Sequence, residues 1–336
     1  MFSIKESYSF QDILLIPAYS EIKSRDTDVD VSVRLGDYVF SNPIIPANMK
    51  SVTGESMAKA VAENGGLAIV HRFMPLKEQL EIANRNIPLL RNIGFSLGVK
   101  EEDYVAVGLL YNIGVRIFCI DIAHGHSKMC CDMIKYIKEN FDDTLLIAGN
   151  VATGEGAKML WECGADVVKT GIGSGAICST RIQTGNGVPQ MSALMDVAEA
   201  QANCKKHNKP CYFISDGGIL SSGDCVKALT FADMVMTGKL FSGCSDAPGE
   251  VLYDDNGKAY KEYAGSSTIN RTKNIEGVVA HSNVSGNFKE ILEPLLGGIR
   301  SGISYQGVSN LTDLKDSPQF VKISSAGLEE SKPHYT

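Results

Sequence analysis

The sequence has no long hydrophobic run and no concentration of basic residues. Its 336 residues are 44% hydrophobic and 21% charged, yet no apolar run approaches the roughly 18 residues that a membrane span needs. The formal net charge is −7, and the absence of a basic cluster argues against nucleic acid as the main partner. We therefore expect a protein that binds neither a membrane nor a nucleic acid.

The nine cysteines form no C-x-x-C pair, and the N-terminus lacks an apolar signal segment. An odd number of scattered cysteines is typical of free thiols in a reducing compartment. The first eight residues carry charges where a signal peptide would need an apolar core. These features predict a cytoplasmic protein without a structural zinc site, in which every cysteine except Cys178 packs in the core.

Glycine, by contrast, is abundant around that one cysteine. The segment 171–181 has glycines at its first, third and fifth positions, then Cys178, Thr180 and Arg181, and it follows a β-branched run at 167–169. Such a backbone can turn sharply and place its amides against a ligand. A thiol in a polar, glycine-rich turn can be held as a thiolate by amide dipoles and cationic groups. Cys178 is therefore a candidate nucleophile; the alternative is a small packing residue.

The chain alternates between short apolar strands and helical stretches. Strands are predicted at 44–49, 67–71, 95–99, 116–122, 145–148, 167–170, 212–215 and 234–237. Helices are predicted at 57–64, 75–91, 101–113, 127–140, 154–163, 190–207, 222–230 and 288–300. Apolar strands that alternate with amphipathic helices imply a parallel sheet covered on its outer face. Eight such units favour an α/β fold of the closed (β/α)8 TIM-barrel type over a doubly wound sheet.

Polar residues follow most of the predicted strands. Asn48 ends the first strand, Arg72 follows the second, Asp121 lies at the end of the fourth, and Asp216 follows the seventh. The carboxyl ends of barrel strands carry the active site, and the loops after strands seven and eight often bind phosphate. The candidate phosphate-binding residues in those two loops are Gly217, Gly218, Gly238 and Lys239.

Two polar stretches follow the eighth strand. Residues 245–286 are rich in Gly, Ser, Asn and Lys, and the stretch exceeds the dozen or so residues usual for a structureless loop. We predict a mobile excursion beside the active site there. The tail at 324–336 is also polar, and we predict that it is mobile.

Several motifs spread over nearly the full length together resemble those of the IMP dehydrogenase/GMP reductase family. They are Ser24-Arg25, Asn48-Met49, DIAHGHS at 121–127, AGNV at 148–151, the segment 171–181, TGNGVPQ at 184–190, SDGG at 215–218 and GGIRS at 297–301. The resemblance implies chemistry at C2 of a purine nucleotide 5′-monophosphate, to which the cysteine thiolate adds. The family's dehydrogenases pass a hydride to NAD⁺ and hydrolyse the product, whereas its reductases expel ammonia from GMP and accept a hydride from NADPH to give IMP.

Two absences favour the reductase branch. Dehydrogenases commonly carry a regulatory pair of domains after the second helix, where this chain has a short loop near Asn92, so we expect one barrel domain over 1–336. They also carry a flap with an Arg-Tyr pair that activates water, but here Glu276 follows the Gly-Ser-Ser stretch at 265–267 within ten residues. The alternatives are an IMP dehydrogenase with a degenerate flap and a non-catalytic purine nucleotide-binding barrel.

The resemblance also implies roles for individual residues. Cys178 would be the nucleophile, with Thr180 and Glu276 as a proton relay. The substrate-binding residues would be Asn48, Asp216, Gly217, Gly218, Gly238, Lys239, Tyr263, Gly265, Ser266, Ser267 and Gly277. The cofactor-binding residues would be Ser24, Arg25, Arg72, Asp121, Ala123, Gly171, Gly173, Ser301 and Ser304. A monovalent cation (K⁺) would meet Gly173, Gly175, Cys178 and Arg181, and the assembly would be a homotetramer.

The cofactor implied for the reductase branch is NADPH. The planar fork of an arginine pairs with phosphate oxygens, so Arg25 and Arg72 suit its ribose 2′-phosphate. The alternative for both is a solvated surface charge.

Four positions depart from the family pattern. Ala176 lacks a hydroxyl that normally touches phosphate, and the loss of one neutral hydrogen bond costs about 1 kcal/mol. Lys50 stands where family members usually have an acid, Ser266 replaces a methionine, and Ser285 replaces a lysine. These changes leave the covalent chemistry intact and leave the exact purine open.

Overall fold

The chain begins with short elements that precede the main sheet. In the computed structural model, which describes residues 4–204, 210–265 and 279–333, a 3₁₀ turn at Phe10–Asp12 leads into the first strand. The N-terminal elements are β1 (Ile13–Leu15), α1 (Arg25–Asp28), β2 (Val33–Leu35) and β3 (Tyr38–Phe40). Strands β2 and β3 form an antiparallel pair, which leads directly into the barrel.

Eight parallel strands form the core of the structure. They are β4 (Ile44–Pro46), β5 (Ala68–Val70), β6 (Ile93–Leu97), β7 (Ile117–Asp121), β8 (Leu145–Val151), β9 (Val167–Thr170), β10 (Tyr212–Asp216) and β11 (Met234–Thr237). Their order is β4-β11-β10-β9-β8-β7-β6-β5, so the last strand pairs with the first. Most of their side chains are fully buried. The predicted α/β fold, a (β/α)8 TIM barrel, is confirmed.

Helices connect the strands, and the longer ones cover the outside of the barrel. They are α2 (Glu55–Glu63), α3 (Leu76–Arg85), α4 (Glu101–Ile113), α5 (Lys128–Asn140), α6 (Gly154–Cys163), α7 (Thr180–Thr184), α8 (Gln190–Asn203) and α9 (Ser222–Leu229). In the described part of the chain, none of the helices combines the length and the hydrophobicity that a membrane span requires.

Hydroxyl side chains fix where several of these helices begin. Ser127 accepts a hydrogen bond from the backbone N–H of Cys130 at the start of α5, and Thr153 accepts one from Gly156 at the start of α6. Such caps satisfy backbone donors that the first helical turn leaves open. Each capped helix starts beyond the carboxyl end of a strand, so the caps also define the loops that surround the site.

The chain after β11 adds a second, small sheet and the closing helix. The elements are β12 (Leu252–Tyr253), β13 (Ala259–Ala264), β14 (Val279–Asn283), α10 (Phe288–Tyr305), β15 (Phe320–Lys322) and α11 (Ser325–Glu330). Strands β12, β13 and β14 form an antiparallel sheet inside the predicted excursion at 245–286, and β15 pairs with β1. The polar tail contains α11. The mobility of both segments stays a prediction.

Two predicted elements have different bounds in the structure. The helix predicted at 75–91 ends at Arg85 and is followed by a separate 3₁₀ turn at Ile87–Leu89, because Pro88 cannot donate to a continuing helix. The third strand lies at Ile93–Leu97 rather than 95–99. Its Gly94 lies against Ile117 of β7, where a Cβ would come within 2.7 Å of that side chain.

The expectation that all nine cysteines are free thiols is wrong for two of them. Cys131 of α5 and Cys163 of α6 form a disulfide between neighbouring helices, with their Cα atoms 5.5 Å apart. The two residues are 32 positions apart in sequence, and adjacent barrel helices bring them into register. The predicted packing role holds for most of the others, since Cys119, Cys130, Cys211, Cys225 and Cys244 are buried.

Close contact between α6 and α8 generates a prediction about stability. A Cβ at Gly154 would lie 2.5 Å from the carbonyl oxygen of Asp196, so Gly154→Ala should lower the free energy of unfolding by about 1–3 kcal/mol. Gly108→Ala is the control, because a Cβ in that part of α4 makes only an ordinary 3.8 Å contact and should stabilise by about 0.5–1 kcal/mol.

Urea unfolding followed by the fluorescence of Trp161 measures both variants. This side chain is the single tryptophan of the chain and is fully buried. Equal stability changes in the two variants would show that the approach of the two helices is not the constraint.

Candidate active site

A cavity of about 510 Å³ opens at the carboxyl end of the barrel strands. This volume is typical of small-molecule sites. The cavity brings together predicted residues from loops that are far apart in sequence. The predicted site residues that line it are Asn48, Arg72, Asp121, Ala123, Gly171, Gly173, Gly175, Cys178, Thr180, Asp216, Gly217, Tyr263 and Gly265.

The loop with the candidate nucleophile presents its thiol to this cavity. Cys178 is exposed, and its Sγ donates a hydrogen bond of 3.2 Å to Oγ1 of Thr180. The backbone N–H of Cys178 is bonded to the carbonyl of Gly175 at 3.0 Å, and Ser174 donates its hydroxyl to the carbonyl of Asp216 at 3.1 Å. The thiol and the hydroxyl therefore face the same space on a loop that is tied to β10.

Only glycine fits at one position of that loop. Gly173 has φ +79°, and a Cβ there would lie 2.5 Å from the side chain of Arg181. The guanidinium of Arg181 in turn donates to the carbonyl of Val188 at 2.7 Å. The glycines that the sequence singled out thus allow the loop to fold back on α7.

A buried lysine that sequence reasoning missed lies beneath the loop. Nζ of Lys169 is 2.9 Å from Oδ1 of Asp121 and 2.7 Å from Oδ2 of Asp216, and its side chain is only 3% exposed. Lys169 belongs to β9, and the two carboxylates end β7 and β10. The signal was present as a charged residue inside an apolar strand, since a buried charge needs a partner.

The three charges stabilise one another against burial. Burial alone would lower the pKa of Lys169, but Asp121 and Asp216 outweigh it and hold that pKa above its ordinary value. Burial would likewise raise the pKa of Asp121, but Lys169 outweighs it and holds this pKa below its usual range. The ammonium and the Asp121 carboxylate therefore remain charged at neutral pH.

The side-chain amide of Asn150 also holds one of these carboxylates in place. Its Nδ2 donates 2.8 Å hydrogen bonds to Oδ2 of Asp216 and to the carbonyl of Gly171. Its Oδ1 is buried and accepts no hydrogen bond within the described part of the chain. A buried acceptor without a donor is costly, so this oxygen is suited to a donor from a bound ligand.

The small sheet supplies one wall of the cavity. Tyr263 of β13 is 3% exposed, and burial raises the pKa of its hydroxyl. Its ring lies so close to Gly238 that a side chain there would overlap the hydroxyl, and the hydroxyl is 3.9 Å from Sδ of Met49. Gly238 and Lys239 do not line the cavity themselves, but Tyr263 connects their loop to it.

Some predicted residues lie away from the cavity of their own chain. Gly218 packs against Phe10 behind the loop that carries Gly217. Helix α10 begins beside the loop after β11, where Phe288 N–H donates to Asp246, and its 18 residues extend about 27 Å. The residues found toward its far end or beside it are Ser24, Arg25, Ser301 and Ser304. Ser266, Ser267, Glu276 and Gly277 lie outside the described residues.

Arg72, in contrast, is held at the cavity wall. Its Nε donates to the carbonyl of Asp121 at 3.0 Å, and its guanidinium lies 4.8 Å from the centre of the Phe73 ring. One edge of the guanidinium is thus anchored by the protein.

Among the described residues no group of three or more His, Cys, Asp and Glu side chains could hold a metal ion.

The neighbouring His71 generates a prediction about pH. It is 5% exposed, and burial, followed by the charge of Lys50, lowers its pKa from 6.5 to about 4. Between these values the unfolded chain binds a proton that the folded chain does not, so stability falls as the pH falls through this window. From pH 7 to pH 5 the contribution of His71 should be a loss of about 2 kcal/mol.

Urea unfolding of the parent and of His71→Asn at both pH values measures this contribution. Nδ1 of His71 accepts a hydrogen bond from the N–H of Phe73, and the amide oxygen of asparagine can replace it without titrating. The variant should lose less stability on acidification than the parent. Equal losses would show that His71 is not the titrating group.

Comparison with known proteins gives consistent results over most of the chain. A family model described as "IMP dehydrogenase / GMP reductase domain" matches residues 7–334. A GMP reductase from Bacillus subtilis is 39% identical over 317 residues, which are 92% of this chain and 94% of the relative. A GMP reductase from Lysinibacillus sphaericus is 39% identical over 318 residues, with the same coverage. An inosine-5′-monophosphate dehydrogenase from Aquifex aeolicus is 30% identical over 477 residues, covering 98% of this chain and 96% of the relative.

Proposed function

The chain belongs to the IMP dehydrogenase/GMP reductase family, and from this premise we propose that it is an oxidoreductase, an NADPH-dependent GMP reductase. It would convert GMP to IMP and ammonia, a step in the interconversion and salvage of purine nucleotides. The observation that carries the proposal is the pair of Cys178 and Thr180, whose Sγ and Oγ1 lie 3.2 Å apart at a cavity that also contains Asp216.

The substrate nucleotide would lie between the nucleophile loop and the end of β10. Asp216 would accept hydrogen bonds from the ribose hydroxyls, since Lys169 and Asn150 occupy Oδ2 and hold the carboxylate in place. The phosphate would meet the glycine loops after β10 and β11, at Gly217 on the cavity wall and at Gly238 beside Tyr263. Tyr263 would close this side. Gly218, Lys239, Gly265, Ser266, Ser267 and Gly277 keep their proposed substrate contacts.

The covalent step would use the thiolate of Cys178 as the nucleophile at C2 of the purine. The amine at C2 cannot leave as an anion, so a proton must reach it as the carbon–nitrogen bond breaks. Thr180 Oγ1 contacts the thiol and would therefore lie beside the same carbon, and Glu276 would supply the proton through this hydroxyl. Asn48, which donates to Ser96 at 2.8 Å, would orient the base from the other wall.

The comparisons with dehydrogenases favour the reductase reading over its alternative. The alignment with the Aquifex dehydrogenase covers 477 residues, more than the 336 of this chain, whereas those with the GMP reductases cover 317 and 318. In the structure α3 connects to β6 through one 3₁₀ turn at Ile87–Leu89. An inserted regulatory domain would occupy this connection.

Bound NADPH would supply the hydride. Asp121 and Ala123 would flank its nicotinamide, Arg72 would meet the distal half, and Gly171 and Gly173 would contact it from the nucleophile loop. Ser24, Arg25, Ser301 and Ser304 would complete the cofactor site. Because these four lie away from the cavity of their own chain, their contribution depends on the homotetramer that we also propose.

A potassium ion would bind the carbonyls of Gly173, Gly175, Cys178 and Arg181. The carbonyls of Gly175 and Arg181 already accept the N–H groups of Cys178 and Gly185, but each carbonyl has a second lone pair. These second lone pairs would be the ligands of the proposed ion. We place the enzyme in the cytoplasm.

One assay tests the reaction and both alternatives. The purified protein is mixed with GMP and NADPH, or with IMP and NAD⁺, and absorbance near 340 nm is followed. A decrease in the first mixture supports the reductase, and an increase in the second supports a dehydrogenase. No change in either mixture, with nucleotide still bound, would indicate a non-catalytic barrel.

Cys178→Ala should abolish turnover, because no other thiol described in the structure lines the cavity. The rate of NADPH oxidation should fall at least a thousandfold, while GMP affinity measured by calorimetry should stay within a few fold of the parent. Cys204→Ala, which removes a thiol outside the cavity, is the control and should keep its activity. Residual activity within tenfold of the parent would remove Cys178 from the role of nucleophile.

Arg72→Ala should raise the KM for NADPH about ten- to hundredfold, since a charge-assisted hydrogen bond contributes about 1.5–3 kcal/mol. The KM for NADH, which lacks the 2′-phosphate, should change much less. Arg25→Ala should show the same selectivity if the tetramer brings Arg25 to a neighbouring cavity. Equal losses for both cofactors would show that these arginines do not read the 2′-phosphate.

A further inference from the structure

The buried ammonium of Lys169 contacts two carboxylates from different parts of the barrel. Asp121 ends β7 and Asp216 ends β10, and Lys169 on β9 reaches both within 2.9 Å. The neighbouring strand leaves room for it, because Gly149 pairs with Lys169 and a Cβ at Gly149 would lie 2.7 Å from the lysine Cβ. Any side chain at position 149 of β8 would therefore collide with Lys169.

The proposed function assigns the two carboxylates to the two halves of the site. Asp216 would face the ribose of the nucleotide and Asp121 the nicotinamide of the cofactor. The backbone carbonyl of Asp121 accepts a hydrogen bond from Arg72. Lys169 Nζ holds one oxygen of each carboxylate. A displacement of the ammonium toward one carboxylate would lengthen its bond to the other.

We propose that Lys169 is a positioning residue that holds Asp121 and Asp216 in place together, so that nucleotide binding and cofactor binding both depend on this one ammonium. The inference rests on the proposed function, because that function assigns the two carboxylates to two ligands. Lys169 itself lines the floor of the cavity.

A second ion pair, suitable as a control, lies just before the amino end of β9. Nζ of Lys138 is 2.5 Å from Oδ2 of Asp166, just before β9, and both side chains are about one-fifth exposed. This pair supports the fold, since Asp166 also accepts the N–H of Leu146, but it does not line the cavity. Lys138→Ala is therefore a control: it shows the effect of removing a partly buried, ion-paired lysine that lies outside the cavity.

Calorimetric binding of GMP and of NADP⁺, each measured alone, tests the inference. Lys169→Ala should weaken both ligands about tenfold or more, the scale of one charge-assisted hydrogen bond, while Lys138→Ala should bind both like the parent. Loss of only one ligand, or of neither, would overturn the inference. A parent protein that binds neither ligand would instead overturn the proposed function, on which the inference depends.

Chemical rescue distinguishes positioning by charge from a purely structural effect. Propylammonium can place a cation in the space that Lys169→Ala leaves, whereas propanol has a similar size and no charge. Millimolar propylammonium should raise the affinity of the Lys169→Ala variant for each ligand at least threefold, and propanol should not. Equal effects of the two additives, or no rescue, would contradict the proposal.

A second variant keeps the test decisive if the alanine protein does not fold. Lys169→Met retains the aliphatic stem and should show the same paired loss, with thermal unfolding measured alongside. Lys169→Arg retains the charge and should keep both ligands better than methionine does. A methionine variant that is folded and binds both ligands normally would overturn the inference.

Discussion

The closure of the parallel sheet is the constraint on which the site depends. Strand β11 pairs with β4, and β4 in turn contacts β5, so the strands form a ring and all eight carboxyl ends surround one opening. Residues that are far apart in the sequence, such as Asn48, Asp121 and Asp216, therefore line the same cavity. If β11 did not pair with β4, the first and last strands would lie apart, and Tyr263 could not pack on Met49.

Within this frame the chain places charge where a barrel usually has apolar side chains. Isolated burial of an ammonium or a carboxylate is strongly unfavourable, but an ion pair with further hydrogen bonds offsets that cost. Lys169 is balanced by two carboxylates, and Arg72 brings a second positive charge to the backbone of Asp121. The cluster is thus close to neutral while it still presents carboxylate oxygens to ligands.

Periodicity and spacing were sufficient to predict the barrel, because each strand–helix unit carries its own signals. Strand β9 and helix α6 lie at their predicted residues. Contacts between segments that are distant in the sequence were harder to predict. The disulfide between Cys131 and Cys163 depends on the packing of two helices, which no short motif records. Lys169 was read as part of an apolar strand, because local pattern cannot show which partners neutralise a charge.

The small sheet was missed for a related reason. Strand β13 alternates between buried and exposed side chains, with Lys261 and Tyr263 facing inward, but a polar stretch rich in glycine and serine suggests a loop by composition. Ser24 and Arg25 were assigned by resemblance alone. Within the described chain these two residues lie beside α10 and not at the cavity, so the fold of one chain gives them no ligand contact.

The loop that carries Cys178, the proposed nucleophile, shows why a departure from the family pattern need not disturb the proposed chemistry. Its shape is fixed by contacts that this chain retains: Ser174 bonds to the carbonyl of Asp216, and Cys178 N–H bonds to that of Gly175. Ala176 is exposed between them and takes no part in these bonds. A hydroxyl at this position would therefore act on a ligand and not on the loop. Its absence should weaken phosphate binding by about one neutral hydrogen bond and leave the position of the thiol unchanged.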